Sequence, residues 1–219
     1  MKVLVIAPHP DDETLGCGGT LLKLAAQGAE LHWMIVTAMT AETGFSAERM
    51  AQRQDEIARL GRMLGFAGIH QLGFPCAMLD RVALSDLVGA MGRVVRTVAP
   101  HTVFLPFPGD VHSDHRVVYQ AGYGCAKWFR YPSVRRVLTY EALSETDAGS
   151  VLDVGFRPNL FVDISDHLDA KIAAMDVFGS ELGEFPFPRS ERALRHLAGL
   201  RGAQAGCEAA EALYVCRMP

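Results

Sequence analysis

Residues 2–28 read KVLVIAPHPDDETLGCGGTLLKLAAQG, and the order of residue types in this stretch decides the fold class. Lys2 to Ala7 is an apolar, β-branched run of strand length, whereas residues 15–28 carry Leu21, Leu22, Leu24 and Ala25 at helical spacing. A strand that hands over to a helix in this way opens a βα unit. Between the two lies His9-Pro10-Asp11-Asp12-Glu13. That position, just beyond the carboxyl end of a strand, is where open α/β sheets collect their ligands.

The alternation continues outward. A second strand is expected over residues 30–37, a helix over 46–64 with Gly65 near its end, a short strand over 69–73, a helix over 84–98 stopped by Pro100, and a strand over 102–106. Beyond Ser113 the pattern predicts a helix to about Phe129, a strand near residues 134–143, another over 160–164, and two C-terminal helical stretches. Strands and helices in turn predict an α/β, Rossmann-like three-layer fold with a mostly parallel sheet covered on both faces. Residues 1–219 read as a single domain, and residues 144–158, rich in small and turn-forming types, as a long connection.

Composition narrows the classes of function. The chain is 49% hydrophobic and 21% charged with a net charge of −4, so it lacks the basic footprint needed to grip nucleic-acid phosphates. Cys17, Cys76, Cys125, Cys207 and Cys216 are widely separated and form no CxxC pair, so they read as reduced thiols. The apolar run before His9 is too short and too promptly acidic for a signal peptide, and no apolar stretch reaches the roughly 20 residues of a transmembrane segment. A cytoplasmic location is expected. A monomer and a homo-oligomer fit this composition equally.

A second cluster, Asp110-Val111-His112-Ser113-Asp114-His115, follows the strand expected over 102–106. In the common strand order 3-2-1-4, strands one and four are neighbours, so two clusters about a hundred residues apart face one crevice. Two imidazoles and one carboxylate make a three-ligand site with an open position for water, the arrangement of catalytic zinc. His9, Asp12 and His115 are the chosen ligands, leaving Asp11 and His112 beside the metal for proton work. The same donors also suit Fe2+. Acidic residues before a helix often merely cap it, but a second ligand-rich cluster at another strand end weighs against that reading.

At these residues the chain resembles the PIG-L/LmbE-like family of zinc-dependent N-deacetylases, whose signature pairs an AHPDDE-type segment with a downstream HxDH-type segment. Here the first reads Ala7-Pro8-His9-Pro10-Asp11-Asp12-Glu13, followed by Leu15-Gly16-Cys17-Gly18-Gly19, and the second His112-Ser113-Asp114-His115. Arg53, Glu56, Asp163, Lys171, Ser180 and residues 201–211 look family-like as well, so the resemblance covers nearly the whole chain. Pro8 departs from the small residue usual before the histidine. Ser180-Glu181 departs from the Ser-Gln of many relatives, and with the aromatic-basic stretch over residues 127–136 it is a candidate for setting substrate preference.

The resemblance implies zinc on His9, Asp12 and His115, Asp11 as general base and later proton donor, and His112 as an imidazolium or hydrogen-bond donor to the oxyanion. It implies that Asp114 orients His112 from behind and that Arg53 contacts substrate hydroxyl or phosphate oxygens. An equally simple reading pairs Arg53 with Glu56 or Asp55 on the helix surface. The implied substrate is a small acetamido sugar, free, phosphorylated, nucleotide-linked or glycan-linked.

Two rival readings compete with this one. Another metal-dependent amidase, or a phosphoesterase, needs the same activated water, though phosphoryl transfer often uses paired metals and the sequence offers few extra carboxylates. A nucleotide-binding module built on Gly16, Gly18 and Gly19 is the other, but these glycines are not a GxGxxG pattern and come late after the strand.

Overall fold

A computed structural model describes residues 1–149 and 155–219; residues 150–154, part of the connection expected over 144–158, lie outside the described residues. The strand β1 (Lys2–Ala7) anchors the sheet. Val3, Val5 and Ala7 point into one core and Leu4 and Ile6 into the other, all fully buried. Each large side chain removed from water contributes about 1.5–3 kcal/mol, and a strand apolar on both faces is stable only between two helical layers.

Around it are β2 (Glu30–Ala38), β3 (Phe66–Pro75), β4 (Thr102–Pro106), β5 (Arg136–Tyr140), β6 (Leu160–Asp163) and β7 (Ala210–Arg217). Among the described residues they form one sheet in the order β3-β2-β1-β4-β5-β7-β6. Neighbours from β3 to β5 are parallel, while β7 runs antiparallel to both β5 and β6. The expected order 3-2-1-4 is present, and the switch point lies between β1 and β4.

The helices are α1 (Asp12–Ala26), α2 (Ala47–Met63), α3 (Leu84–Val98), α4 (Ser113–Gly124), α5 (Leu168–Met175) and α6 (Glu191–Ala205). Leu21 of α1, Ile57 and Leu60 of α2 and Ala174 of α5 join the core on one face of the sheet. Leu87 and Met91 of α3 and Val118 of α4 join the core on the other.

Four details differ from the sequence reading. The first helix starts at Asp12, not residue 15, so the acidic pair opens the helix rather than preceding it. The third strand runs Phe66–Pro75, longer than the expected five residues. The helix after Ser113 stops at Gly124, leaving residues 127–136 outside it with Trp128 and Phe129 exposed. The last strand, β7, was not expected: its Ala and Glu are weak strand formers, and the sheet itself imposes the conformation.

The helix α1 is interrupted at Cys17 (φ −145°, ψ 19°), and the interruption is satisfied by a buried ion pair. Lys171 Nζ donates to the freed Leu15 carbonyl at 2.8 Å and to Glu211 Oε1 at 2.7 Å. The Glu211 carboxylate in turn accepts from the amides of Gly19 and Thr20 at 2.9 and 2.7 Å. Gly16 is demanded by the sheet beneath, because a Cβ there would meet the Tyr140 ring at 2.2 Å. Gly19 is likewise packed, since a Cβ there would meet Ile164 at 2.8 Å, so both glycines serve close packing and not a phosphate-binding loop.

Candidate metal centre

The ligand-bearing turn leaves β1 at Pro8, whose carbonyl accepts from the Thr37 amide at 3.0 Å and hydroxyl at 2.8 Å. From there His9, Asp12 and His115 converge, with one potential ligand atom from each within 4.8 Å of the others. His9 Nδ1 lies 3.2 Å from Asp12 Oδ2, and His115 Nε2 lies 3.3 Å from Asp12 Oδ1. Topology has thus brought residues from the ends of β1 and β4 to one point.

The donor chemistry fits a divalent cation. Asp12 Oδ1 and His115 Nε2 are buried without a hydrogen-bond partner, which is costly unless something else occupies their lone pairs. His115 Nδ1 is paired with Asp110 Oδ2 at 2.8 Å, which leaves Nε2 turned toward Asp12. Thr146 Oγ1 donates to the other oxygen of Asp110 at 2.6 Å, a carboxylate–histidine support typical of metal sites. Burial works against charge on His9, yet the carboxylates of Asp114 and Asp12 outweigh it and hold the imidazole well above the ordinary histidine range. His115 is pushed up to about 9, burial again being outweighed by Asp12 and Asp110. Both imidazoles thus sit where positive charge is stabilised. His9, Cys76 and Asp114 form a second donor set, which shares His9 with the first.

Asp11 occupies the position before α1 but does not cap it. Its side chain makes no bond to the helix amides, and its backbone sits at φ 143°, a strained conformation for a residue with a Cβ. Glu13 Oε2 accepts the Asp11 amide at 3.3 Å, helping to hold that geometry. The carboxylate is turned instead to the cavity, where Arg189 Nη1 donates to Oδ2 at 3.0 Å. Burial, then the Asp12 charge, raise Asp11 to about 7, against the pull of Arg189.

His112 precedes α4 and accepts the Asp114 amide on Nδ1 at 3.1 Å. An amide can only donate, so the ring proton of a neutral His112 must be on Nε2. Burial and then the charges of His9 and His115 lower its pKa to about 4. With Nδ1 accepting an amide, the ring is held in its neutral form with Nε2 as its donor.

Asp114 corrects the expectation that it orients His112. Its carboxylate lies 3.1 Å from His9 Nε2 and accepts the amides of Ala77 and Leu79 at 2.7 and 3.1 Å, so its side chain supports His9. Toward His112 it is the Asp114 backbone amide that makes the contact, as His112 caps the start of α4.

A cavity of about 590 Å³ opens above the centre, lined by His9, Asp11 and His112 at its floor and by Arg53, Glu181 and Arg189 on its wall. This size and mixture suit a small-molecule ligand. Arg53 is buried, donates to Pro10 O at 2.9 Å and to Glu181, and lies 3.0 Å from Glu56 Oε2. The Glu56 pairing anticipated from the sequence is present, but inside the molecule and not on a solvated face. Residues 127–136 do not line this cavity.

Two participants escaped the sequence reading. Asp110 stands within the second cluster, five residues before His115, and its place at a strand end was the available signal. Arg189 gave none: it lies 178 residues from Asp11 in a Pro- and Phe-rich segment, and only the folded chain brings them together.

Comparison with known proteins fits this geometry. The family model described as PIG-L: GlcNAc-PI de-N-acetylase matches residues 4–126. The chain is 31% identical to the diacetylchitobiose deacetylase of Thermococcus kodakarensis, across 97% of this chain and 82% of that protein. It is 29% identical to the 2'-N-acetylparomamine deacetylase of Streptomyces fradiae, across 82% of this chain and 73% of that one. The solved N,N'-diacetylchitobiose deacetylase of Pyrococcus horikoshii superposes with a TM-score of 0.80 at 25% identity, covering 99% of this chain and 84% of that one.

Proposed function

The chain belongs to the PIG-L family, and from that premise we propose that it is a metal-dependent N-deacetylase, hydrolysing the acetamide of an amino sugar or amino-sugar conjugate. The observation that carries the reading is the pair of buried, unpartnered atoms, Asp12 Oδ1 and His115 Nε2, meeting His9 beneath a cavity that Asp11 and His112 also line. The relatives named for diacetylchitobiose and acetylparomamine support an acetamido sugar as the substrate class.

His9, Asp12 and His115 would hold the metal, zinc in our reading, with Fe2+ the other ion this donor set suits. When bound, a divalent cation supplies Lewis acidity and makes water a stronger acid. The remaining steps belong to the chain. Asp11 accepts a proton from the attacking water and later delivers it to the departing amine; Arg189 holds Oδ2, and no bond among the described residues takes Oδ1. His112 offers its Nε2 proton to the carbonyl oxygen as negative charge develops there. Asp114 keeps His9 in place, and Asp110 does the same for His115. Arg53 acts on the substrate side of the cavity, chiefly by holding Glu181 against its wall.

We take residues 1–219 as one catalytic domain, because Arg189 and Glu181 from the C-terminal half close the site that β1 and β4 open. Among the described residues, no helix is long and apolar enough to cross a membrane. The five unpaired cysteines support a reducing, cytoplasmic setting.

Release of acetate and primary amine from a panel of acetamido sugars by the metal-loaded protein tests the function. Turnover is expected for at least one sugar, with His112→Ala reduced by about 100–1,000-fold in kcat as for loss of an oxyanion donor. Undiminished turnover by His112→Ala would remove that residue from the reaction.

A further inference from the structure

Each guanidinium group around the cavity faces at least one carboxylate. Arg49 Nη1 donates to both oxygens of Glu56 at 3.1 and 3.3 Å, and its Nη2 to Ser180 Oγ at 2.5 Å. Arg53 is spent on Pro10 O, Glu181 and Glu56, as described above. Arg189 donates through Nε to Ser144 Oγ at 2.8 Å, through Nη1 to Asp11 at 3.0 Å and through Nη2 to Glu145 at 3.1 Å. No lysine lines the cavity among the described residues. A sugar phosphate would compete with these carboxylates for the guanidinium groups, and would carry its own charge of about −1.5 to −2 past acidic side chains.

Glu181 is the group on the wall with capacity to spare. Its Oε1 faces Arg53, Arg49 and Ser180, whereas among the described residues Oε2 has only Arg189 Nη1 at 3.8 Å, outside hydrogen-bond reach. The side chain is 29% exposed where it lines the cavity. A carboxylate oxygen with free lone pairs accepts from hydroxyl or ammonium donors and repels an oxyanion.

We propose that Glu181 is a specificity-determining residue, selecting acetamido sugars that present hydroxyl or ammonium groups to it and excluding phosphorylated or nucleotide-linked ones. The inference rests on the deacetylase reading for the acetamide; the charge selection rests on the wall alone.

Equilibrium binding tests it with N-acetylglucosamine, its 6-amino-6-deoxy derivative, and its 1- and 6-phosphates, measured calorimetrically on metal-loaded His112→Ala protein so that ligand is not consumed. Both phosphates should bind at least tenfold more weakly than the neutral sugar and the 6-amino sugar at least as tightly. Adding Glu181→Gln should shrink the gap between neutral sugar and phosphate at least fivefold. A phosphate that binds as tightly as the neutral sugar overturns the proposal, and so does an unchanged gap in the Glu181→Gln protein. Acetate release from the panel of acetamido sugars by wild-type protein is scored separately. Its absence with the binding order intact would fail the deacetylase reading and leave the selection standing; its presence with the order reversed would fail the selection alone.

Discussion

At the residue scale, the proposed site divides into groups that would hold a metal and groups that would move a proton, and substitutions should separate them. Asp11→Asn is expected to retain metal, read by elemental analysis, and to lose about 100–10,000-fold in kcat, because its carboxylate makes no contact with His9 or His115 that binding would need. Full activity in that variant would remove Asp11 from proton transfer. Asp110→Asn acts one step back: it weakens the bond that fixes His115 Nδ1 and should lower metal affinity about 10–100-fold, measured by competition with a chromogenic chelator. The residues in direct reach of the centre were legible in the sequence because they stand in two compact clusters rich in ligand types. The roles of Asp114 and Arg189 were not, since both depend on which way a side chain turns: Asp114 toward His9 and two amides, Arg189 toward a carboxylate contributed from the opposite end of the chain.

At the scale of elements, the break in α1 links the proposed metal-binding turn to the antiparallel part of the sheet. Lys171→Met leaves Glu211 buried without its cation and Leu15 O without its donor, so a loss of about 3–5 kcal/mol is expected by chemical denaturation. Lys171→Met combined with Glu211→Gln should recover part of that loss, since the uncompensated charge is then gone; a double variant less stable than the single one would rule out the ion pair as the cause. The strands and helices from β1 to β4 were readable because apolar runs and helical periodicity alternate there with turn residues between them. Past Gly124 the signals weaken. Aromatic and basic residues mimic a helix that has already ended, and β7 has a composition that neither periodicity nor propensity marks as a strand, with Glu211 inside it held by Lys171 and two helix amides.

At the scale of the whole molecule, the ligands come from separate turns, so a cation bound by all of them favours the folded state over the unfolded chain. At a free metal concentration a hundredfold above Kd the gain is about 2.7 kcal/mol, on the order of 5–10 °C in melting temperature for a chain of this size. Removing metal with a chelator should therefore lower the melting point of the wild-type protein by that amount and leave His115→Ala unmoved; identical shifts in the two would place the metal elsewhere. The parallel sheet and its switch point were legible from the order of elements alone, whereas the antiparallel end was not. That end has a consequence for how the protein is made. β7 is the last strand in chain order, yet it lies between β5 and β6 and not at an edge. On the ribosome, β6 emerges with no neighbour to pair with, and Lys171 waits for Glu211. The sheet can close only after β7 has emerged, and the nascent chain carries unpaired strand edges until then.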